Sequence, residues 1–131
     1  MSIILALALQ LATAPHTSAD DTFAARVTRG KLVEAGVTGP AYQKALWAQI
    51  TDPTTTALKG CLASNAPADK SPFTLVADVQ PDGHPTRVAA EPATPVANCL
   101  AGWLASLILP APPKLTDGNV YPIEIDVSIT R

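Results

Sequence analysis

The chain has 131 residues, 47% of them hydrophobic and 15% charged, with a formal net charge of −2. That is the length of one domain with enough apolar material for a packed core, which excludes a wholly disordered chain. Its 9 lysines and arginines are scattered rather than clustered, so no nucleic-acid partner is expected.

The first element is an uncharged run. Ile3 to Ala14 consists of Ile, Leu and Ala broken only by Gln10 and Thr13. It is shorter than the roughly 20 apolar residues of a spanning helix and suits the core of a signal peptide. Thr17, Ser18 and Ala19 supply small residues before Asp20, so residues 1–19 are expected to be a signal peptide and the mature chain to have no integral membrane span. Ala12-Thr13-Ala14 is a second cleavage option, weakened by Pro15. A positively charged amino-terminal region is missing, and the other reading of this run is a buried amino-terminal helix.

A short helix is expected from Asp20 to Ala35, capped by Asp20 or Asp21. Phe23, Val27, Leu32 and Val33 fall loosely on one side, Gly30 weakens the middle and Gly36 stops it. Pro40 then fits the first turn of a helix carrying Tyr42, Ala45, Leu46, Gln49 and Ile50, with Trp47 beside the stripe. Asp52-Pro53 reads as a fresh start, cap followed by first-turn proline, for a separate helix with Ala57, Leu58, Cys61 and Leu62 on its apolar side. Residues 20–60 thus form a helical extension.

Ser64 to Pro72 is a polar loop. Phe73 to Val79 is a strand, with Phe73, Leu75, Ala77 and Val79 on one face and Thr74, Val76, Asp78 and Gln80 on the other. Pro81-Asp82-Gly83 predicts a hairpin with a type I turn and a bulge, because glycine stands where φ must be positive. His84 to Ala90 returns as the second strand, and Pro85 makes it an edge strand or one that begins after the proline. Ala93 to Leu109 is an amphipathic helix opened by Thr94-Pro95, its stripe being Val96, Cys99, Leu100, Trp103, Leu104 and Leu107. Pro110, Pro112 and Pro113 end it. After a turn at Asp117-Gly118-Asn119, a last strand places Tyr121, Ile123, Ile125, Val127 and Ile129 on the core and Pro122, Glu124, Asp126, Ser128 and Thr130 in water.

The two cysteines, Cys61 and Cys99, face inward on different helices. An even count in an exported chain predicts a structural disulfide, two buried free thiols being the alternative. Closing a loop of about 38 residues is worth roughly 3–4 kcal/mol in the chain-entropy model.

Nothing converges on catalysis. His84 follows a tight turn and reads as solvent-facing. Glu124 and Asp126 stand two apart on one strand face and imitate a glycosidase pair, but a solvated face explains them better. No serine has a nucleophile-elbow setting and no glycine-rich phosphate loop occurs. No catalytic residue, cofactor or metal is expected. The sharper hypothesis is the outer edge of the last strand, Tyr121, Ile123, Glu124, Ile125, Asp126 and Val127, which accepts an extended peptide if it is unpaired. Pro122, Glu124 and Asp126 are equally the residues that blunt an edge.

The order β-β-α-β resembles the TonB carboxy-terminal domain, and most of all its two-cysteine branch, the gliding-motility AgmX/PglI carboxy-terminal domain. The residues that carry the resemblance are Cys61, Phe73 to Val79 with Asp82-Gly83, Cys99, Trp103, Leu109-Pro110-Ala111-Pro112 and Tyr121-Pro122-Ile123, within residues 61–131. It implies an α+β fold, a three-stranded antiparallel sheet packed by helices, in a periplasmic domain that binds another envelope protein without catalysis, in TonB itself by sheet augmentation. The short apolar run and the absence of a long proline-rich linker depart from an energy transducer and point to a stand-alone periplasmic module. A periplasmic inhibitor or immunity protein against an envelope-targeting enzyme is the alternative, and a homodimer stays open.

Overall fold

The computed structural model describes residues 22–130. The expected signal peptide at 1–19 and the caps proposed at Asp20 and Asp21 lie outside them. Helix α1 spans Phe23–Glu34, α2 Gly39–Ser64, α3 Pro95–Ala105; the strands are β1 Phe73–Val79, β2 Pro85–Glu91 and β3 Tyr121–Val127. The result is an α+β domain whose three-stranded antiparallel sheet, ordered β2-β1-β3, is packed against helices.

The cap of α1 is Thr22, whose hydroxyl accepts from the Ala25 N–H at 3.1 Å. Leu32, expected on the apolar side, is 69% exposed, and the one buried residue of α1 is Gly30. The end of α1 and the start of α2 lie so close that a Cβ on Gly39 would be 1.9 Å from the Glu34 carbonyl oxygen, a spacing only glycine permits.

The two helices expected around Pro53 are one helix of 26 residues with Pro53 inside it. The apolar phase explains this. Tyr42, Leu46, Ile50, Ala57 and Cys61 stay on one stripe across the proline, so both halves pack on the same core. Pro53 is exposed, and the Thr51 and Thr55 hydroxyls donate to the carbonyls of Trp47 and Thr51 around the break. The expected boundary between residues 60 and 61 therefore falls inside α2.

Strand β1 matches its expected limits. At the turn Gly83 has φ +95°, Gln80 N–H donates to His84 O at 2.9 Å and Gly83 N–H to Gln80 O at 2.8 Å. β2 is shifted by one residue from its expected span and carries a bulge opposite Val76–Asp78, where Arg87 has φ 49°. α3 begins as expected, Thr94 accepting from the Ala97 N–H at 3.1 Å, but stops at Ala105 rather than Leu109. Pro110 bars its neighbour from helical geometry, so Leu109 reaches the core from an extended segment, its N–H on Gly83 O at 2.9 Å. β3 stops at Val127 rather than Ile129 because its partner in β1 there is Phe73, the first residue of that strand.

One face of the sheet, Phe73, Leu75, Ala77, Val79, Tyr121, Ile123, Ile125 and Val127, joins α2 and α3 in a single core. Cys61 and Cys99 are disulfide-bonded, with Cα atoms 5.7 Å apart, tying α2 to α3 through that core. The other face lies under α1. Pro122 and Glu124, expected in water, are buried there, whereas Asp126, Ser128 and Thr130 are exposed. Among the described residues no helix is long and apolar enough to cross a membrane.

Candidate functional site

The β3 edge is built by the parity of the ladders. Gln80 donates its N–H to His84 O, so the even-numbered residues of β1 turn their main-chain groups toward β2 and the odd-numbered ones toward β3. Register then makes Tyr121, Ile123, Ile125 and Val127 the bonded partners of Val79, Ala77, Leu75 and Phe73. Their side chains enter the core. Pro122, Glu124 and Asp126 turn the other way, out of the sheet, and Pro122 has no N–H to offer. Of the six residues offered as a binding edge, Glu124 and Asp126 therefore hold its outward N–H donors.

These two side chains sit on the α1 face. Gly30 approaches so closely that a Cβ on it would be 3.2 Å from Glu124 Cβ and Cγ and 3.3 Å from Glu124 N. Lys31 Nζ donates to Glu124 Oε1 and to Asp126 Oδ2, each at 3.3 Å. Thr74 Oγ1 donates to Asp126 Oδ1 at 2.8 Å, and this bond leads the causes that hold the Asp126 carboxyl below its ordinary range. The Glu124 side chain is 5% exposed, and the Glu34 carboxyl stands within hydrogen-bonding reach of it. Glu34 faces the same place. Burial first, and then the charge of Glu124, push its carboxyl up to about 7. The Lys31 ammonium is correspondingly raised by its bonds to Glu124 and Asp126.

The rest of α1 is fastened by polar contacts. Arg26 Nη2 donates to Arg87 O at 2.7 Å and Arg29 Nη2 to Val120 O at 2.9 Å. Asp78 lies buried beneath, taking Arg87 Nε at 2.6 Å. Arg29, Arg87, Asp78 and Asp117 line a polar cleft of about 590 Å³. An apolar cleft of about 300 Å³ opens at the hairpin end, between Val79, Pro81, Pro113, Leu115 and Tyr121.

His84 is exposed, with Nδ1 2.9 Å from Asp82 Oδ2. Tyr42 belongs to the core, its hydroxyl donating to Pro110 O at 2.9 Å, and its ring lies 4.7 Å from that of Tyr121. Trp47 stands at the surface, 40% exposed. Lys31 and Glu34 escaped the reading of the sequence, and Gly30 was read only as a weak point of its helix. The available signal was Lys31 and Glu34 three apart on one helical face beside a glycine, which says nothing about what that face meets.

Comparison with known proteins returns no match: no family model, no curated protein and no solved structure pairs with this chain.

Proposed function

We propose that this chain is an exported, non-catalytic protein-binding module of the cell envelope, a stand-alone TonB C-terminal-like domain working in the periplasm. Its partner is another envelope protein that lays an extended segment along β3. The observation that carries this reading is the outward direction of the Glu124 and Asp126 main-chain groups, which no described strand takes up. The Cys61–Cys99 bond supports an oxidising compartment. The rigid core behind β3 supports recognition by main-chain pairing, since an ordered strand needs little reorganisation to accept another.

The test uses the direction of one N–H. Asp126→Pro removes an outward donor and leaves the main-chain bonds of β3 to β1 untouched, whereas Asp126→Asn keeps the donor and an acceptor for the Thr74 hydroxyl. A photo-cross-linking residue at Ser128 is expected to give a discrete adduct with an envelope protein in intact cells. That adduct should persist with Asp126→Asn and disappear with Asp126→Pro. An adduct indifferent to the proline places the partner elsewhere on the molecule. Intact mass of the recovered chain tests export: a start at Asp20 with both thiols unreactive until reduction is expected, and a full-length chain with free thiols refutes the periplasmic assignment.

A further inference from the structure

The two outward donors of the β3 edge are not equally open. Asp126 is exposed. Glu124 lies under α1, where a Cβ on Gly30 would stand 3.3 Å from the Glu124 main-chain N. A strand adding to β3 needs successive outward groups two residues apart to form a ladder, and α1 stands over one of them.

A pair of acids holds this end of α1 in place. The Glu34 and Glu124 carboxyl groups are within hydrogen-bonding reach of each other, and the Glu124 side chain is 5% exposed. Two carboxyl groups so placed attract only while they share a proton, and repel when both are ionised. The cation that α1 brings to the contact, Lys31, lies 3.3 Å from both Glu124 and Asp126 and is 54% exposed, so it offsets that repulsion weakly. Arg26 and Arg29 fasten α1 ahead of Gly30, on the carbonyls of Arg87 and Val120, and those bonds do not depend on the shared proton.

We infer, resting on the edge reading above, that α1 is a proton-held latch on β3: Glu34 and Glu124 share a proton while it is shut, and release of that proton to water frees the Gly30–Glu34 end of the helix and uncovers the Glu124 N–H for a partner strand. Around Glu34 stand Lys31 on its own helix, and Glu124, Asp126 and Tyr121 on β3. The Thr38 hydroxyl before α2 reaches Tyr121, and Lys114 and Asp117 lie across the cleft beside Val33. Burial first, and then the Glu124 charge, push the Glu34 carboxyl up to about 7 from its ordinary 4.5. The shut latch therefore keeps its full hold below about pH 4.5 and loses it as pH rises through about 7.

Amide hydrogen exchange of the disulfide-bonded protein, corrected for the intrinsic rate at each pH, reads the latch without any partner. From about pH 5 to about pH 8, protection of Gly30–Glu34 and of the Glu124 N–H is expected to fall about three- to fivefold relative to β1, a size limited by the partial exposure of Glu34. Glu34→Gln gives Glu124 a permanent donor and should abolish that fall. Gly30→Ala drives α1 off β3 and should leave protection low at both pH values. The photo-cross-linker at Ser128, offered to an envelope extract, should give several-fold more of the Asp126→Pro-sensitive adduct at the higher pH with the parent, and equal amounts at both with Glu34→Gln. Parent protection that does not change with pH overturns the latch and leaves edge binding standing. Protection that falls while the adduct stays constant overturns the gating of the edge by α1. A fall in protection with no adduct at either pH overturns the edge reading itself, and with it the role given to the latch.

Discussion

Two helical glycines show how a residue's surroundings reverse the effect of one substitution. Gly60 has nothing within 4 Å of the position a Cβ would take. Gly60→Ala is expected to stabilise the protein by about 0.5–1 kcal/mol, through helix propensity alone. At Gly30 the same methyl group meets Glu124 Cβ and Cγ at 3.2 Å. Glu124 is buried between α1 and the sheet and has no room to retreat. Gly30→Ala should therefore push α1 away from β3 and cost about 1 kcal/mol despite its better propensity. Urea unfolding of the two variants beside the parent checks both signs.

At the scale of elements, α2 depends on a stripe that outlasts its proline. Pro53 removes the N–H that would reach the Gln49 carbonyl, a loss with no packing benefit, since the residue is exposed. Pro53→Ala should raise stability by roughly 1–3 kcal/mol, read from the denaturation midpoint. The C-terminal half of α2 carries Cys61, which bonds Cys99 across 38 residues of chain. In the chain-entropy model, replacing both cysteines by serine should cost about 4 kcal/mol, with reduction of the parent giving a comparable fall in midpoint. Strand β1, its hairpin turn and the start of β3 were legible because alternation and turn chemistry are local. The end of α3 was not. The stripe of Val96 to Leu107 continues in hydrophobicity past the point where Pro110 forbids helix, and Leu107 and Leu109 still pack inward from extended backbone.

For the whole molecule, the α1–β3 contact makes stability depend on pH. Folded Glu34 holds its proton up to about 7, against an ordinary value of 4.5. Between those values the folded state binds more protons than the unfolded chain, so this group's contribution to stability declines as pH rises from 4.5 through 7. Glu34 is partly solvent-exposed, which screens the effect to below about 1 kcal/mol. Glu34→Gln should flatten that decline: measured at about pH 5 and about pH 8, the parent loses stability relative to the variant as pH rises. An unchanged difference between the two pH values would show that Glu34 is not protonated at the interface.

The sequence by itself determined the pieces whose causes are local. These are the Pro81-Asp82-Gly83 turn, the alternation of β1 and β3, the Thr94 cap, and the inward placement of Cys61 and Cys99. It also marked Glu124 and Asp126 as a pair on one strand face, with no means of telling which element would lie over them. Only the tertiary structure decided that α1 covers that face, that Glu124 is buried, and that Lys31 and Glu34 complete the cluster. The physical reason lies in α1 itself. It docks through arginine and lysine bonds and the close approach of Gly30 rather than through a broad apolar stripe. Polar docking leaves no periodic signature in a sequence, because a charged residue at the surface and one that clasps a neighbouring strand are the same letter.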